Sequence, residues 1–345
     1  MIVHATGNLL QSGAEALVNT VNCIGYMGKG IALQFKKAFP ENFKAYQRAC
    51  KVGKVKPGHM FIFETGTMTN PKYIINFPTK RHWREKSRVQ YIEAGLDALV
   101  KDVESLGIQS IAVPPLGAGY GGLDWPIIRP MIEEKFADTS AVRVLLYKPS
   151  GSPAAETMPI GTDRPKMTSA RALLIKMIDQ YASLAYRTTL LEIHKLAYFL
   201  QEAGENLRLK YEAAYYGPYA ANLNKVLEIM EGHFLQGYGD NQKPDVDIHL
   251  MPSAVETAGT FLAGRQGSIG RLNKVNNLIE GFETPYGMEL LSSVHWVAKH
   301  KTPPATDSES AIDAVMAWNN RKRMMFKPAH INVAWEHLKH QGWLD

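Results

Sequence analysis

At 345 residues the chain is long enough for two domains of ordinary size, and its 45% apolar residues can give each a core. No stretch approaches the ~18 apolar residues that cross a bilayer, and the opening MIVHATGN lacks the charged-then-apolar pattern of a signal peptide. Two cysteines, Cys23 and Cys50, exclude a disulfide framework and fit a reducing cytoplasm, while a net charge of +6 admits an anionic partner such as nucleic acid.

Met1 to Thr6 and Glu15 to Val21 read as strands. Ile31 to Phe39 has helical spacing, and Pro40 opens a second helix, Glu41 to Cys50, with Phe43 and Tyr46 inward. Met60 to Glu64 and Tyr73 to Phe77 are strands. Arg88 to Leu106 is a long amphipathic helix with Ile92, Leu96, Leu99 and Val103 on its core face. Ile111 to Val113 is a short buried strand, Asp124 caps a helix that runs to about Phe136, and Val142 to Tyr147 is the last strand. Alternating strands and helices predict an α/β layered domain over 1–150, with ligands at the C-terminal ends of the strands.

Two glycine-rich loops lie at such ends. Asn19 to Ala32 leaves an apolar strand, turns through Gly25, Gly28 and Gly30, and enters a helix. That arrangement gathers backbone N–H groups at a helix N-terminus, where a diphosphate can bind. Pro114 to Gly122 is the second loop. Its Gly117-Ala118-Gly119-Tyr120-Gly121-Gly122 matches the dinucleotide fingerprint G-x-G-x-x-G. The match closes the domain instead of opening it, and no acidic residue ends the following strand, so a Rossmann site is rejected. What remains is close backbone approach to a phosphate.

Together these residues resemble the macrodomains, the ADP-ribose-binding α/β fold with a mixed sheet between helices. The resemblance is carried by Gly7-Asn8-Leu9, by Ala16 to Asn22, by Gly28 to Ala32 and by the second loop, and it covers residues 1 to about 148. Met27-Gly28-Lys29-Gly30-Ile31-Ala32, Phe35-Lys36-Lys37 and Thr79-Lys80 place the chain nearest the terminal ADP-ribose glycohydrolase type. Within it the chain resembles the DarG group of antitoxins, which remove ADP-ribose from thymidine in single-stranded DNA and oppose DarT-type ADP-ribosyltransferase toxins.

The resemblance implies roles by position. Asn22 contacts the distal ribose, with Asn19, Thr20, Val21 and Cys23 beside it. Gly28, Lys29, Gly30 and Ile31 hold the diphosphate with Pro115, Leu116, Gly117, Ala118, Gly119, Tyr120 and Gly121. Gly7, Asn8 and Leu9 lie by the adenine, and Tyr147 packs on it. Many macrodomains carry Asp where this chain has Asn8, whose amide oxygen still accepts the adenine hydrogen bond. Asn22 and Lys80 are the catalytic residues on that resemblance, Lys80 as the reactive group. As a free amine it attacks the anomeric carbon, or as an ammonium it stabilises the leaving base or orients the ribose. Arg81 and Arg84, with partial burial, are expected to lower its pKa. Related glycohydrolases have an acid in the second loop where this chain has Gly121, so the acidic partner is elsewhere or unnecessary. No cofactor is implied, and neither histidines nor cysteines show metal-ligand spacing.

Lys80 to Arg88 holds five basic residues and Trp83. On composition alone, a charged loop anchored by Trp83 and a nucleic-acid contact are equal readings. Beside Lys80 it reads as a DNA contact, with Arg81 and Arg84 on phosphates and Trp83 stacked on a base.

Residues 151–167, rich in Pro, Gly and small side chains, are a linker. The rest, 168–345, is mainly helical, with one short strand at Tyr211 to Tyr216 and a turn at Gly217-Pro218. His194, His233, His249 and His295 read as structural. His194 to Leu200 with Tyr215 to Tyr219 resembles the SocA and Panacea antitoxin domain, which implies a module that binds the toxin directly. Tyr215, Tyr216 and Tyr219 are interface or core residues on that reading. Three functions stay open: the DNA glycohydrolase antitoxin, a glycohydrolase for protein-linked ADP-ribose, and a reader that binds ADP-ribose without cleaving it.

Overall fold

A computed structural model describes residues 1–139, 141–149, 158–185, 187–239 and 244–344. The chain divides into two units, one built on Met1–Asp163 and the other on most of Arg164–Asp345. Residues 151–157 of the expected linker lie outside the described residues.

In the first unit the strands are β1 (Ile2–Ala5), β2 (Ala16–Val21), β3 (Phe61–Glu64), β4 (Tyr73–Pro78), β5 (Ser110–Val113) and β6 (Arg143–Tyr147). They form one mixed sheet in the order β1-β6-β5-β2-β4-β3. All neighbours are parallel except β3, which runs antiparallel at the edge against β4. The inner strands β2 and β4 read as near-continuous apolar runs, as strands covered on both faces must. The helices are α1 (Gly30–Ala38), α2 (Pro40–Lys51), α3 (Val89–Ser105) and α4 (Trp125–Lys135). Ile92, Leu96, Leu99 and Val103 of α3 are all fully buried, as their spacing requires. Phe43 of α2 is half-buried, while Tyr46 is fully buried. Asp124 stands at the N-cap of α4, but its side chain makes no capping hydrogen bond; Pro126 fixes the first turn.

Parallel strands deliver their C-terminal ends to one edge of a sheet. Here that edge carries the segments after β2, β4, β5 and β6. The β2–β4 pairing runs past the strands: Thr79 N–H donates to Val21 O and Cys23 N–H to Arg81 O, both at 3.0 Å. Asn22 and Lys80 therefore leave the sheet side by side.

The second unit is mainly helical: α5 (Ser169–Leu184), α6 (Leu190–Glu202), α7 (Leu223–Met230), α8 (Ala254–Leu262), α9 (Gln266–Ile279), α10 (Pro285–Lys299), α11 (Ser308–Met316), α12 (Asn320–Met325) and α13 (Pro328–His340). The carboxylate of Glu192 at the start of α6 accepts from Thr189 N–H at 2.7 Å and from the Tyr181 hydroxyl at 2.5 Å. The expected single strand is a hairpin, β7 (Tyr211–Ala214) and β8 (Gly217–Ala220), closed by Tyr215-Tyr216. Gly217 and Pro218 thus begin a strand instead of forming the turn. Gly217 has φ +93 and sits where a Cβ would lie 2.9 Å from Ser293 Oγ and 3.3 Å from Lys195 Nζ. A further short pair, β9 (Leu235–Gln236) with β10 (His249–Leu250), has no apolar alternation long enough to read from sequence.

Beneath the hairpin lies a buried polar cluster. Lys195 Nζ donates to Pro218 O at 2.8 Å, and Lys322 Nζ donates to Glu289 Oε1 at 2.8 Å and Ser293 Oγ at 2.9 Å. Arg321 also donates to Glu289 Oε1. His194 stacks on Tyr219 and His295 bonds to the Tyr198 hydroxyl; burial pushes both imidazoles down to about 3, so they are neutral. Among the described residues no helix is long and apolar enough to cross a membrane.

Candidate active site

One cleft of about 420 Å³ opens at the C-terminal edge of the first unit's sheet. Both glycine loops line it. Gly28, Lys29, Gly30 and Ile31 form one wall, and Pro115, Gly117, Gly119, Tyr120 and Gly121 form the facing one. Gly7, Asn8, Leu9 and Tyr147 line it as well. Thr20, Val21, Asn22, Lys80, Trp83 and Arg84 also border the cleft.

The loops are shaped by packing that tolerates no side chain. A Cβ on Gly28 would overlap the Tyr26 ring, and one on Gly121 would overlap Gly117 O and Ser87 Oγ. Gly30, with φ +52, lies against the Tyr120 ring, 3.2 Å from where its Cβ would be. The two loops thus meet at Tyr120, whose ring also has Lys29 Nζ 5.6 Å from its centre.

Asn22 spends its amide on the first loop. Nδ2 donates to Tyr26 O at 2.5 Å, and Oδ1 accepts from Ile24 N–H at 3.0 Å and the Tyr46 hydroxyl at 3.3 Å. Tyr46 also donates to Asn22 O at 2.5 Å. Asn8 Oδ1 accepts from Leu10 N–H at 3.0 Å, and the residue lines the cleft.

Five of the expected site residues stand off the cleft wall. Asn19 is fully buried; its Nδ2 donates to Asn76 Oδ1 at 3.0 Å, in an amide chain that continues to Asn42, and to Met27 Sδ at 3.7 Å. Leu116 points into the apolar core. Ala118 sits within the loop's own turn, its N–H on Pro115 O at 3.2 Å. Cys23 turns its thiol to Lys80 O at 3.4 Å, and burial pushes that thiol up to about 11. Arg81 is exposed and contributes its main chain to Cys23.

Lys80 is half-buried, and its Nζ donates to Tyr120 O at 3.0 Å. Burial lowers its pKa first, the Lys29 ammonium adds to this, and Glu85 opposes both. The expected contributions of Arg81 and Arg84 are absent from this balance; Lys29, from the first glycine loop, takes their place. Tyr26, Gln34, Thr79, Glu85, Lys86 and Lys148 also line the cleft. Thr79 belongs to a motif that carries the family resemblance but received no role from it, and the other five stand at no position that the resemblance marks. Glu85 was hidden inside a basic run, and it is the one carboxylate among the described residues on the cleft wall.

At the open rim Trp83 is 39% exposed. His82 stacks on it at 5.5 Å, the Arg84 guanidinium lies 4.7 Å from its centre, and Tyr26 is 5.7 Å away. An aromatic face flanked by cations can take an unpaired base and its phosphates. Among the described residues no group of three His, Cys, Asp or Glu side chains could hold a metal ion.

Residues 18–132 match the Macro domain family. The DNA ADP-ribosyl glycohydrolase of Thermus aquaticus is 44% identical over 344 residues, which covers 100% of this chain and 94% of the relative. The chain belongs to the DNA ADP-ribosyl glycohydrolase family. A DNA ADP-ribosyl transferase–DNA ADP-ribosyl glycohydrolase fusion protein of Thermosipho africanus is 33% identical over 141 residues, 36% of each chain. The solved macrodomain of Mycobacterium tuberculosis DarG is 53% identical, with a TM-score of 0.43, over 44% of this chain and 99% of that one. Within the family's macrodomain, the mixed sheet between helices is the frame of the cleft, and the helical unit follows it.

Proposed function

We propose that this family member removes ADP-ribose from thymidine in single-stranded DNA, with Lys80 as the catalytic group. The observation that carries the reading is the Lys80 amine: half-buried in a cleft between two glycine loops, held by Tyr120 O at 3.0 Å, and with a lowered pKa. A lysine so placed has a larger neutral fraction near neutral pH than a solvated one.

The two loops hold the diphosphate through backbone N–H groups, and the adenine lies towards Asn8 and Tyr147. The distal ribose then sits at Asn22 and Lys80, which the β2–β4 pairing sets side by side. The Lys80 nitrogen bonds to the anomeric carbon as the bond from that carbon to the thymine nitrogen breaks. The thymine nitrogen takes up the proton that the newly bonded Lys80 nitrogen sheds. The glycosylamine so formed opens its ribose ring: the carbon–ring-oxygen bond breaks, the ring oxygen takes the remaining nitrogen proton, and an imine results. Water adds to that imine, which frees ADP-ribose and restores the amine. Trp83 and Arg84 at the rim engage the DNA flanking the modified base. The name of the full-length relative from Thermus aquaticus, at 44% identity, supports a DNA substrate.

The second unit is proposed to bind and silence a DarT-type transferase toxin. The transferase–glycohydrolase fusion in Thermosipho africanus supports such a pairing of activities.

The test is release of ADP-ribose from an ADP-ribosylated thymidine oligonucleotide, with an ADP-ribosyl-glutamate protein in parallel. Wild type releases it from DNA, and Lys80→Ala, folded to the same melting point, slows release by roughly 100-fold or more. Binding without release makes the domain a reader. Release from protein alone overturns the DNA assignment.

A further inference from the structure

Tyr26 touches three parts of the cleft at once. Its main chain holds both ends of the Asn22 amide: Tyr26 O accepts from Asn22 Nδ2 at 2.5 Å, and Tyr26 N–H donates to Asn22 Oδ1 at 3.4 Å. The far end of its ring fills the space beside Gly28, where a Cβ would lie 2.5 Å from the phenol oxygen. The same ring stands 5.7 Å from the Trp83 ring, centre to centre, and is tilted to it by 45°. That is within the range in which aromatic pairs attract. Tyr26 is half-buried and borders the cleft.

The rings meet in fixed places. Cys23 N–H donates to Arg81 O at 3.0 Å, which keeps the segment carrying Trp83 in register with the loop carrying Tyr26. His82 and Arg84 pack on Trp83 in turn. Ile24 N–H and the Tyr46 hydroxyl also bond to the Asn22 amide. Tyr26 adds to these a side chain that meets the rim.

We propose that Tyr26 is a positioning residue that carries the engagement of DNA at Trp83 to Asn22 and the first glycine loop, so that flanking DNA raises the rate of the chemical step as well as the affinity. The inference rests on the reading of the cleft as a DNA ADP-ribosyl glycohydrolase site with Trp83 at its DNA rim. Contacts to a remote part of a substrate speed chemistry when their binding energy is used to orient the reacting centre, and a truncated substrate then loses kcat and not affinity alone. Such use needs a physical link between the remote contact and the reacting centre. Tyr26 is that link, with its ring on Trp83 and Gly28 and its main chain on Asn22.

The experiment gives the full chain two substrates: a single-stranded oligonucleotide ADP-ribosylated on one thymidine, and the ADP-ribosylated thymidine mononucleotide, which has the same reacting bond and no flanking DNA. kcat and KM for ADP-ribose release are measured for each. In wild type the oligonucleotide has a kcat roughly tenfold above that of the mononucleotide. Tyr26→Leu removes the aromatic ring, keeps the main-chain bonds to Asn22, and closes this gap by lowering the oligonucleotide's kcat alone. Tyr26→Phe keeps the ring and the gap. Trp83→Ala closes the gap too, and added to Tyr26→Leu it lowers the oligonucleotide's kcat no further, as residues acting through one contact must. Melting curves confirm the fold of each variant. A gap of equal size in wild type and Tyr26→Leu, no gap in wild type, or an equal loss on both substrates in Tyr26→Leu overturns this inference and leaves the proposed function standing. A wild type that releases ADP-ribose from neither substrate overturns the proposed function, and this inference with it.

Discussion

The Lys80 amine and the Tyr120 carbonyl, 3.0 Å apart, join the end of strand β4 to the second glycine loop. The same Tyr120 packs against Gly30 of the first loop. One residue therefore ties Lys80, the proposed catalytic lysine, to both glycine loops, so loop geometry and lysine geometry change together. This makes the glycines as informative to mutate as the lysine.

Gly121→Ala is expected to be the harsher of two loop substitutions. Its Cβ would overlap Gly117 O, which is main chain and cannot swing away, and Ser87 Oγ. Gly28→Ala would meet first the far end of the Tyr26 ring, a side chain and not main chain. Calorimetric titration with ADP-ribose should show at least a roughly tenfold loss for Gly121→Ala, in the range of one displaced phosphate hydrogen bond, and a smaller loss for Gly28→Ala. Equal affinities for the two variants would contradict a diphosphate held by that loop's backbone.

Trp83→Ala separates DNA from nucleotide. The ring is exposed at the rim, flanked by His82 and Arg84. Loss of base stacking costs roughly 1–3 kcal/mol per base, so affinity for a modified oligonucleotide should fall about tenfold while affinity for free ADP-ribose holds. Arg84→Ala should flatten the salt dependence of oligonucleotide binding. A parallel loss for oligonucleotide and free ADP-ribose would make Trp83 part of the nucleotide pocket.

Most strands and helices were legible because their periodicity is strong. Ile92, Leu96, Leu99 and Val103 mark one face of α3, and Ala16 to Val18 mark a covered strand. The hairpin in the second unit was not, because Tyr211 to Ala220 carries no alternation and Gly217-Pro218 reads locally as a turn. Family position brought Lys80, Asn22 and both loops to one cleft, yet it could not say which neighbours face inward. Asn19 follows the strand's inward side into an amide network, and Leu116 goes to the core. Proximity in sequence suggested Arg81 and Arg84 as the charges on Lys80. Proximity in space supplies Lys29, fifty-one positions earlier, because β2 and β4 are neighbours.

Glu289→Ala should unfold the second unit more readily than any surface change. Its carboxylate is 2% exposed and accepts from Arg321 at 2.6 Å and Lys322 at 2.8 Å, and Lys322 is fully buried. Removing the anion strands a buried cation, which costs about 3–5 kcal/mol. The double change Glu289→Leu with Lys322→Met should recover much of that loss, since it removes both charges at once. Denaturant titrations of the full chain, fitted for the second unit's transition, give both numbers.

Lys195 supplies a pH dependence whose sign can be worked out. It is fully buried, and its pKa is lowered from 10.5 to about 7, chiefly by burial and then by Lys322, against the pull of Glu289. The folded chain releases this proton near pH 7, whereas the unfolded chain keeps it to about pH 10.5. Between those values the unfolded state binds the extra proton, so this group makes stability rise with pH. Below pH 7 both states hold the proton and its contribution is flat and unfavourable. Lys195→Met keeps the apolar length, loses the donor to Pro218 O, and removes the titration. Melting points of the second unit's transition should climb from pH 7 to 9 in wild type and climb less in the variant. An unchanged slope would mean that Lys195 stays protonated in the fold, with Glu289 shared between two buried ammonium groups.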